Sequence, residues 1–246
     1  MKTAVPATRQ QYDAIWLTEC EQDYPEIDEV EKSLGFAIDR NWLESTARVL
    51  NCPVKVNAPN WQHGRVIYAV LRNFLENTTL RDASFSLLDI GTAKGFSAVV
   101  MARALVDSNR QHISIDTVDV MDPNSRERRN TVVELDGFKT LYETMNPFIP
   151  EKSTVYCHGG GSFALLDRLS GGSRRIPFAF VDGKHAYEFV RREGLAIADM
   201  QRLNDIVLFD DCQIPEVHRA VTSLLSLYTV SYIEAGPRKY AIARRK

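Results

Sequence analysis

The stretch that most limits what this chain can fold into runs over residues 85–105, Phe-Ser-Leu-Leu-Asp-Ile-Gly-Thr-Ala-Lys-Gly-Phe-Ser-Ala-Val-Val-Met-Ala-Arg-Ala-Leu. The apolar run over 85–90 is too short for a helix and stops at a glycine, which predicts a buried strand. Beyond Gly95, Val99, Val100, Met101, Ala102 and Leu105 follow the pattern of a helix lying on a sheet. Such a strand, glycine loop and helix grip small molecules: glycine permits the sharp turn, and free N–H groups at the helix start attract an anion. The loop does not have the dinucleotide spacing G-x-G-x-x-G, because Ala93 stands where the middle glycine would let a pyrophosphate approach. It is not the phosphate-cradling G-x-x-x-x-G-K-[ST] either. Asp89, two residues before Gly91, suits a cationic amine better than a phosphate.

Composition narrows the partners. Thirty basic against 32 acidic residues give a net charge of −2, so the chain carries no electrostatic footprint for nucleic acid or an anionic membrane. The cysteines, Cys20, Cys52, Cys157 and Cys212, lie far apart with no C-x-x-C, which argues against a zinc site or a disulfide framework and for a reducing, cytoplasmic setting. The first residues have no apolar signal core, and no run is long enough to span a membrane. The expected partner is a small-molecule acceptor; the oligomeric state, a homo-oligomer included, stays open.

Residues 1–59 read as an N-terminal helical extension and 60–246 as the main α/β domain. Within the extension, 26–50 is charged and amphipathic, with Val30, Leu34, Ile38, Leu43 and Val49 as apolar points. A loop with Pro53 and Pro59 follows, then Asn60 as a helix cap before the stripe Val66, Ile67, Val70, Leu71, Phe74 and Leu75. That stripe is core; Trp61, Gln62 and His63 at its start are candidates to reach the pocket. Strands are predicted over 112–120, 154–157, 176–181 and 206–209. A carboxylate ending the second strand suits a ribose diol, because one acid accepts two hydroxyl hydrogen bonds; Asp119 is the first choice and Asp116 the second. The polar insertion over 122–152 is either a lid or a surface helix with loops. Residues His158-Gly159-Gly160-Gly161-Ser162 look like a hydrolase oxyanion loop, but the G-x-S-x-G elbow is absent. Their better use is a flat adenine against the glycine backbone at Gly160, with Ser162 as a polar contact.

Two strands end in acids: Asp182-Gly183-Lys184-His185-Ala186-Tyr187-Glu188 and Asp210-Asp211-Cys212. Both reach the edge where open α/β sheets bind ligands. Three carboxylates gathered there repel one another unless a cation sits among them, and oxygen donors select magnesium first. Residues 227–234 and 240–243, joined through Ala-Gly-Pro-Arg-Lys, predict a closing antiparallel hairpin.

The glycine-loop stretch resembles the first motif of class I S-adenosylmethionine-dependent methyltransferases, and G-x-x-x-G-F-S-A-V-V-M-A-R is similar to the catechol O-methyltransferase group. The run D-G-x-H-x-Y-E, an apolar strand, D-D and then Pro215-Glu216-Val217 resembles the metal-dependent O-methyltransferases, catechol-type and macrocin-like sugar enzymes alike. The likeness covers roughly residues 60–246. It implies a Rossmann-like, mostly parallel sheet with helices on both faces and a C-terminal antiparallel hairpin. It also implies a cofactor, S-adenosyl-L-methionine, held by Asp89, Gly91, Thr92, Ala93, Gly95, Ser97, Asp119, Gly160, Ser162 and Asp182. Asp89 would face the methionyl amine and Ser97 its carboxylate; Asp182, Asp210 and Asp211 would hold Mg2+ or another divalent cation. His185 stands near the catechol enzymes' catalytic lysine and is the expected base, with Lys184 as the alternate. Two departures stand out: Lys184 replaces the acid of D-G-D-H, and Asn204-Asp205 replaces a Gly-Gly, where Asn tolerates left-handed backbone. The expected function is O-methylation of a small hydroxylated metabolite. A nicotinamide-dependent Rossmann oxidoreductase and a non-catalytic cofactor-binding module are the alternatives.

Overall fold

The computed structural model describes residues 8–51, 61–80, 85–126 and 139–246. The loop prolines Pro53 and Pro59, the cap Asn60, Cys52 and the middle of the 122–152 insertion lie outside them. Three helices come first, α1 (Arg9–Cys20), α2 (Pro25–Leu34) and α3 (Arg40–Leu50), then α4 (His63–Asn77). The segment expected as one amphipathic stretch over 26–50 is two helices. Gly35 closes α2 in the left-handed region at φ +81°, and the Asp39 side chain accepts the Trp42 N–H to open α3.

The alternating part follows: β1 (Ser86–Ile90), α5 (Phe96–Asp107), β2 (Ser114–Asp119), α6 (Leu141–Met145), β3 (Thr154–Gly159), α7 (Ser162–Gly171), β4 (Phe178–Val181), α8 (Tyr187–Asp199), β5 (Ile206–Phe209) and α9 (Pro215–Thr222). The hairpin β6 (Tyr228–Ala235) and β7 (Arg238–Arg245) closes the chain. The seven strands lie in the order β3-β2-β1-β4-β5-β7-β6. The first five run parallel, and β7 pairs antiparallel with both β5 and β6. The predicted α/β class, the strands and the terminal hairpin are all present, with boundaries shifted by a few residues.

Both faces of the sheet are covered, and the strands show why. Phe178 and Phe180 of β4, with Ile206 and Leu208 of β5, enter the core shared with α2 to α5. Their neighbours Ala179, Val181, Val207 and Phe209 enter the opposite core with α7 to α9. Two-residue alternation between two apolar layers explains why these strands read as unbroken hydrophobic runs. The N-terminal helices share the first of these cores rather than forming one of their own: Ile27, Leu43 and Trp61 are buried with the α4 stripe and α5. Arg65 of α4 is also buried, its guanidinium on Glu31 at 2.9 and 2.5 Å and on Asp28.

Strand order reverses between β1 and β4, so the crevice at their carboxyl ends is the place this topology offers a ligand.

Candidate active site

Most of the site residues expected from the sequence gather at the carboxyl edge of the sheet: Asp89 and Asp119 in the last residues of β1 and β2, the others on the loops that follow the strands or in the first turn after them. The Gly91–Gly95 loop is tied down from three sides. Gly91 and Thr92 donate backbone N–H bonds to the Val118 carbonyl at 2.9 and 3.2 Å, and Asp182 donates its N–H to the Ile90 carbonyl at 2.8 Å. Gly91 has φ +106°, and a Cβ there would lie 2.2 Å from the Asp182 carbonyl oxygen, so this loop and the one after β4 touch only because residue 91 is glycine. Gly95 is left-handed too, and Met145 of α6 closes over it, its sulfur 2.3 Å from where a Cβ would stand. The described end of the insertion therefore packs on the glycine loop.

Asp89 is fully buried. Its Oδ2 accepts the Thr117 hydroxyl at 2.5 Å, and Thr117 stands 2.6 Å from the Thr92 hydroxyl. Thr117 has one proton and gives it to the carboxylate, so Thr92 donates to Thr117. Asp89 Oδ1 has no hydrogen-bond partner. Burial pushes the carboxyl up to about 6, with the Thr117 and Ser97 hydroxyls pulling back. A buried acceptor oxygen without a donor is costly and calls for a ligand.

Asp119 ends β2, half-buried, and accepts the N–H of Ala93 at 2.9 Å and of Met121 at 3.0 Å. It clamps the glycine loop, and its carboxylate oxygens keep lone pairs for a diol. Asp116, the second choice, lies mid-strand. His158 Nε2 meets its Oδ1 at 2.7 Å and, against the cost of burial, helps hold its carboxyl below the usual range, while its mid-strand place keeps it back from the edge where Asp119 stands. Val120, unremarked in the sequence, follows Asp119 at the same edge and is 77% exposed. Trp61, Gln62 and His63 pack inward: Trp61 stacks on Trp16 at 4.1 Å, Gln62 bonds Arg65, and the His63 ring lies 5.1 Å from Phe96.

The acids after β4 and β5 do come together, with one change of membership. His185 Nε2 lies 3.1 Å from Asp182 and 3.3 Å from Asp211. One ligand atom from each of Asp182, His185 and Asp211 falls within 4.8 Å of the others, a donor set of two carboxylates and an imidazole. Asp210 is turned away from this trio. Its Oδ1 accepts the Asp211 N–H at 2.6 Å and its Oδ2 meets Arg238 at 3.0 Å. Burial and the neighbouring acids push the Asp210 carboxyl above the usual range against the pull of Arg238. A cation thus does sit among the carboxylates, and it is a guanidinium from the start of β7. Asp211 is held left-handed at φ +55°, a conformation that costs a non-glycine residue of order 1 kcal/mol and gathers at functional sites. Lys184 points elsewhere, its Nζ 3.9 Å from the centre of the Phe189 ring.

Smaller signals find their reasons here. Asn204 is left-handed at φ +71°, as its place in the Gly-Gly position requires, and Asp205 beside it is buried on Arg175 at 2.6 Å. Glu216 of the Pro-Glu-Val run accepts the Tyr187 N–H at 2.9 Å and so caps α8. Glu193 of α8 was missed; it is buried, and its Oε1 accepts the Ser162 hydroxyl at 2.5 Å. Burial pushes its carboxyl up to about 7. A lone acid between Val190 and Ile197 on the buried face of α8 was the available signal.

A family model described as a methyltransferase domain matches residues 88–212, half of the chain and every loop just described. No curated protein matches it. Among solved structures, the O-methyltransferase from Bacillus cereus in complex with SAH is similar over 96% of both chains, at 11% identity and TM-score 0.57. TomG of Streptomyces achromogenes, an O-methyltransferase of tomaymycin synthesis solved with SAM, is similar over 88% of this chain and 95% of its own, at 16% identity and TM-score 0.55. An apo TDP-rhamnose 3'-O-methyltransferase of calicheamicin biosynthesis is similar over 89% and 93%, at 15% identity and TM-score 0.53. Likeness at these identities concerns the fold.

Proposed function

The chain belongs to the methyltransferase-domain family, and from that premise we propose that it moves a methyl group from S-adenosylmethionine to a hydroxyl of a small metabolite, with a divalent cation assisting. The observation that carries this reading is the buried, partnerless Asp89 Oδ1 beside the glycine loop. A cationic amine is the donor it lacks, and S-adenosylmethionine brings one. Ser97 in the first turn of α5 would meet the adjoining carboxylate, Asp119 the ribose diol, and the backbone at Gly160 with the exposed Val120 the adenine faces. Family membership displaces the nicotinamide oxidoreductase left open by the sequence.

The donor set at Asp182, His185 and Asp211 fits a hard or borderline divalent ion, magnesium or manganese, and Asp210 would join it only by giving up Arg238. A bound ion would lower the pKa of an acceptor hydroxyl and fix its distance. The chain's own residues do the rest. The methyl passes by direct displacement, so alignment of acceptor oxygen and sulfonium carbon is the main task. His185 serves either as a ligand of that ion or as the base; as base it would take the acceptor's proton at Nδ1, because Nε2–H donates to Asp182 and Asp211. Lys184, stacked on Phe189, is the poorer base. The described helices of the extension, α1 to α3, would cap the acceptor side or serve oligomer contacts; Tyr24 brings them to the β6–β7 turn, its ring 3.5 Å from where a Cβ on Gly236 would stand. Among the described residues no helix is long and apolar enough to cross a membrane; the cytoplasm is proposed from the scattered cysteines alone.

The test is a transfer assay, release of S-adenosylhomocysteine against a panel of sugars and catechols, with and without chelator. The reading expects turnover with at least one acceptor, lost on chelation and in His185→Ala. Tight cofactor binding with no transfer to any hydroxyl would leave the non-catalytic module.

A further inference from the structure

Resting on the donor reading above, the geometry points to Glu193 as a positioning residue that turns the Ser162 hydroxyl into a pure hydrogen-bond acceptor, so that the pocket selects a 6-amino purine over a 6-oxo purine. Ser162 opens α7 directly after Gly160-Gly161, half-buried at the carboxyl edge of the sheet. Glu193 approaches from beneath, on α8, and its Oε1 stands 3.9 Å from where a Cβ on Gly183 would be. The acid therefore lies beside the loop after β4 and under the loop after β3, where the adenine is expected.

A serine hydroxyl has one proton and two lone pairs. Here the proton is spent: Ser162 Oγ donates to Glu193 Oε1 at 2.5 Å, the short distance of a hydrogen bond to a charged acceptor. Whatever else meets Oγ must donate to it. With the purine's 6-position set against Oγ, the exocyclic amine of adenine does so, whereas the 6-carbonyl of hypoxanthine sets oxygen against oxygen. A serine without Glu193 would turn its proton to suit either base. Glu193 Oε2 has no partner, and the acid is almost wholly buried. A helix that needed only apolar packing there would not carry it, since an unsatisfied buried carboxylate oxygen is a standing cost.

The experiment titrates S-adenosylhomocysteine and S-inosylhomocysteine into the full chain by calorimetry at pH 8, where Glu193 is ionised. Wild type should prefer the adenosyl compound by about 30-fold, the size of a committed polar contact. Ser162→Ala and Glu193→Leu should each cut that preference to about threefold, and the double variant should cut it no further. Glu193→Gln, which keeps an acceptor oxygen, should retain it. Glu193→Leu lowering both affinities equally with the preference intact would make Glu193 merely structural and overturn the assignment. If the leucine variant fails to fold, an unchanged preference in Ser162→Ala overturns it as well. No binding of S-adenosylhomocysteine by wild type would instead bring down the donor reading beneath it.

Discussion

Replacing Glu193 by Gln should change how stability depends on pH, and the size of the change follows from its burial. The folded carboxyl titrates near 7 against an ordinary value of 4.5. Between those values the folded protein holds a proton that the unfolded chain has released. Stability therefore falls as pH rises through that window and is flat above it. Integrated from pH 5 to pH 8, a shift of this size amounts to about 2.5 kcal/mol. Glutamine does not titrate, so the stability of Glu193→Gln relative to wild type should rise by about that amount across the window. For a chain of this length that is roughly 5–10 °C in Tm. Asp89 and Asp210 also titrate upward, but they are present in both proteins and cancel in the difference. Urea titrations of both proteins at pH 5, 6, 7 and 8 supply the numbers. A variant-minus-wild-type difference that stays level across that range would refute the buried-acid account of Glu193.

Other outcomes follow from contacts already described. Gly91→Ala would drive a methyl into the Asp182 carbonyl from a φ of +106°; cofactor affinity measured by calorimetry should fall by about 100-fold, well beyond the usual cost of a Gly→Ala change. Arg65→Met leaves the buried Glu31 with only the more distant Arg40, 3.6 Å from its Oε2, and should cost about 3 kcal/mol in urea unfolding, the low end of the penalty for breaking a buried ion pair from one side. Asp182→Ala removes one carboxylate from the donor set and a partner from His185, so kcat should drop by roughly 100-fold or more. Its S-adenosylhomocysteine affinity should change far less, and equal losses in both would contradict the division of labour.

The strand, glycine loop and helix around Asp89 were legible because a short apolar run, glycine spacing and helical periodicity agree there. The acid-tipped strands and the Asn204 turn were legible for the same reason: local residue chemistry decides local backbone. The break of the 26–50 segment was also written locally, as Gly35 and Asp39, but the apolar points run through it and hide it. What could not be read depends on side chains meeting across the fold. Nothing near Arg238 says that a hairpin will carry it to Asp210 and release that acid from the cluster. Nothing in Lys184-His185 says which of two neighbours turns to the acids and which to Phe189. Asp116 and Asp119 differ by three residues, and only the length of β2 decides which one reaches the edge.

The proposed function stands or falls with Asp89 as the residue that holds the amine of the methyl donor. The direct measurement is calorimetric titration of S-adenosylhomocysteine into wild type and Asp89→Asn, which keeps the shape and removes the charge. Wild type should bind, and the variant should bind about 10–100-fold more weakly, the loss expected for a hydrogen bond to a charged group. Equal affinity in the two proteins would contradict the claim.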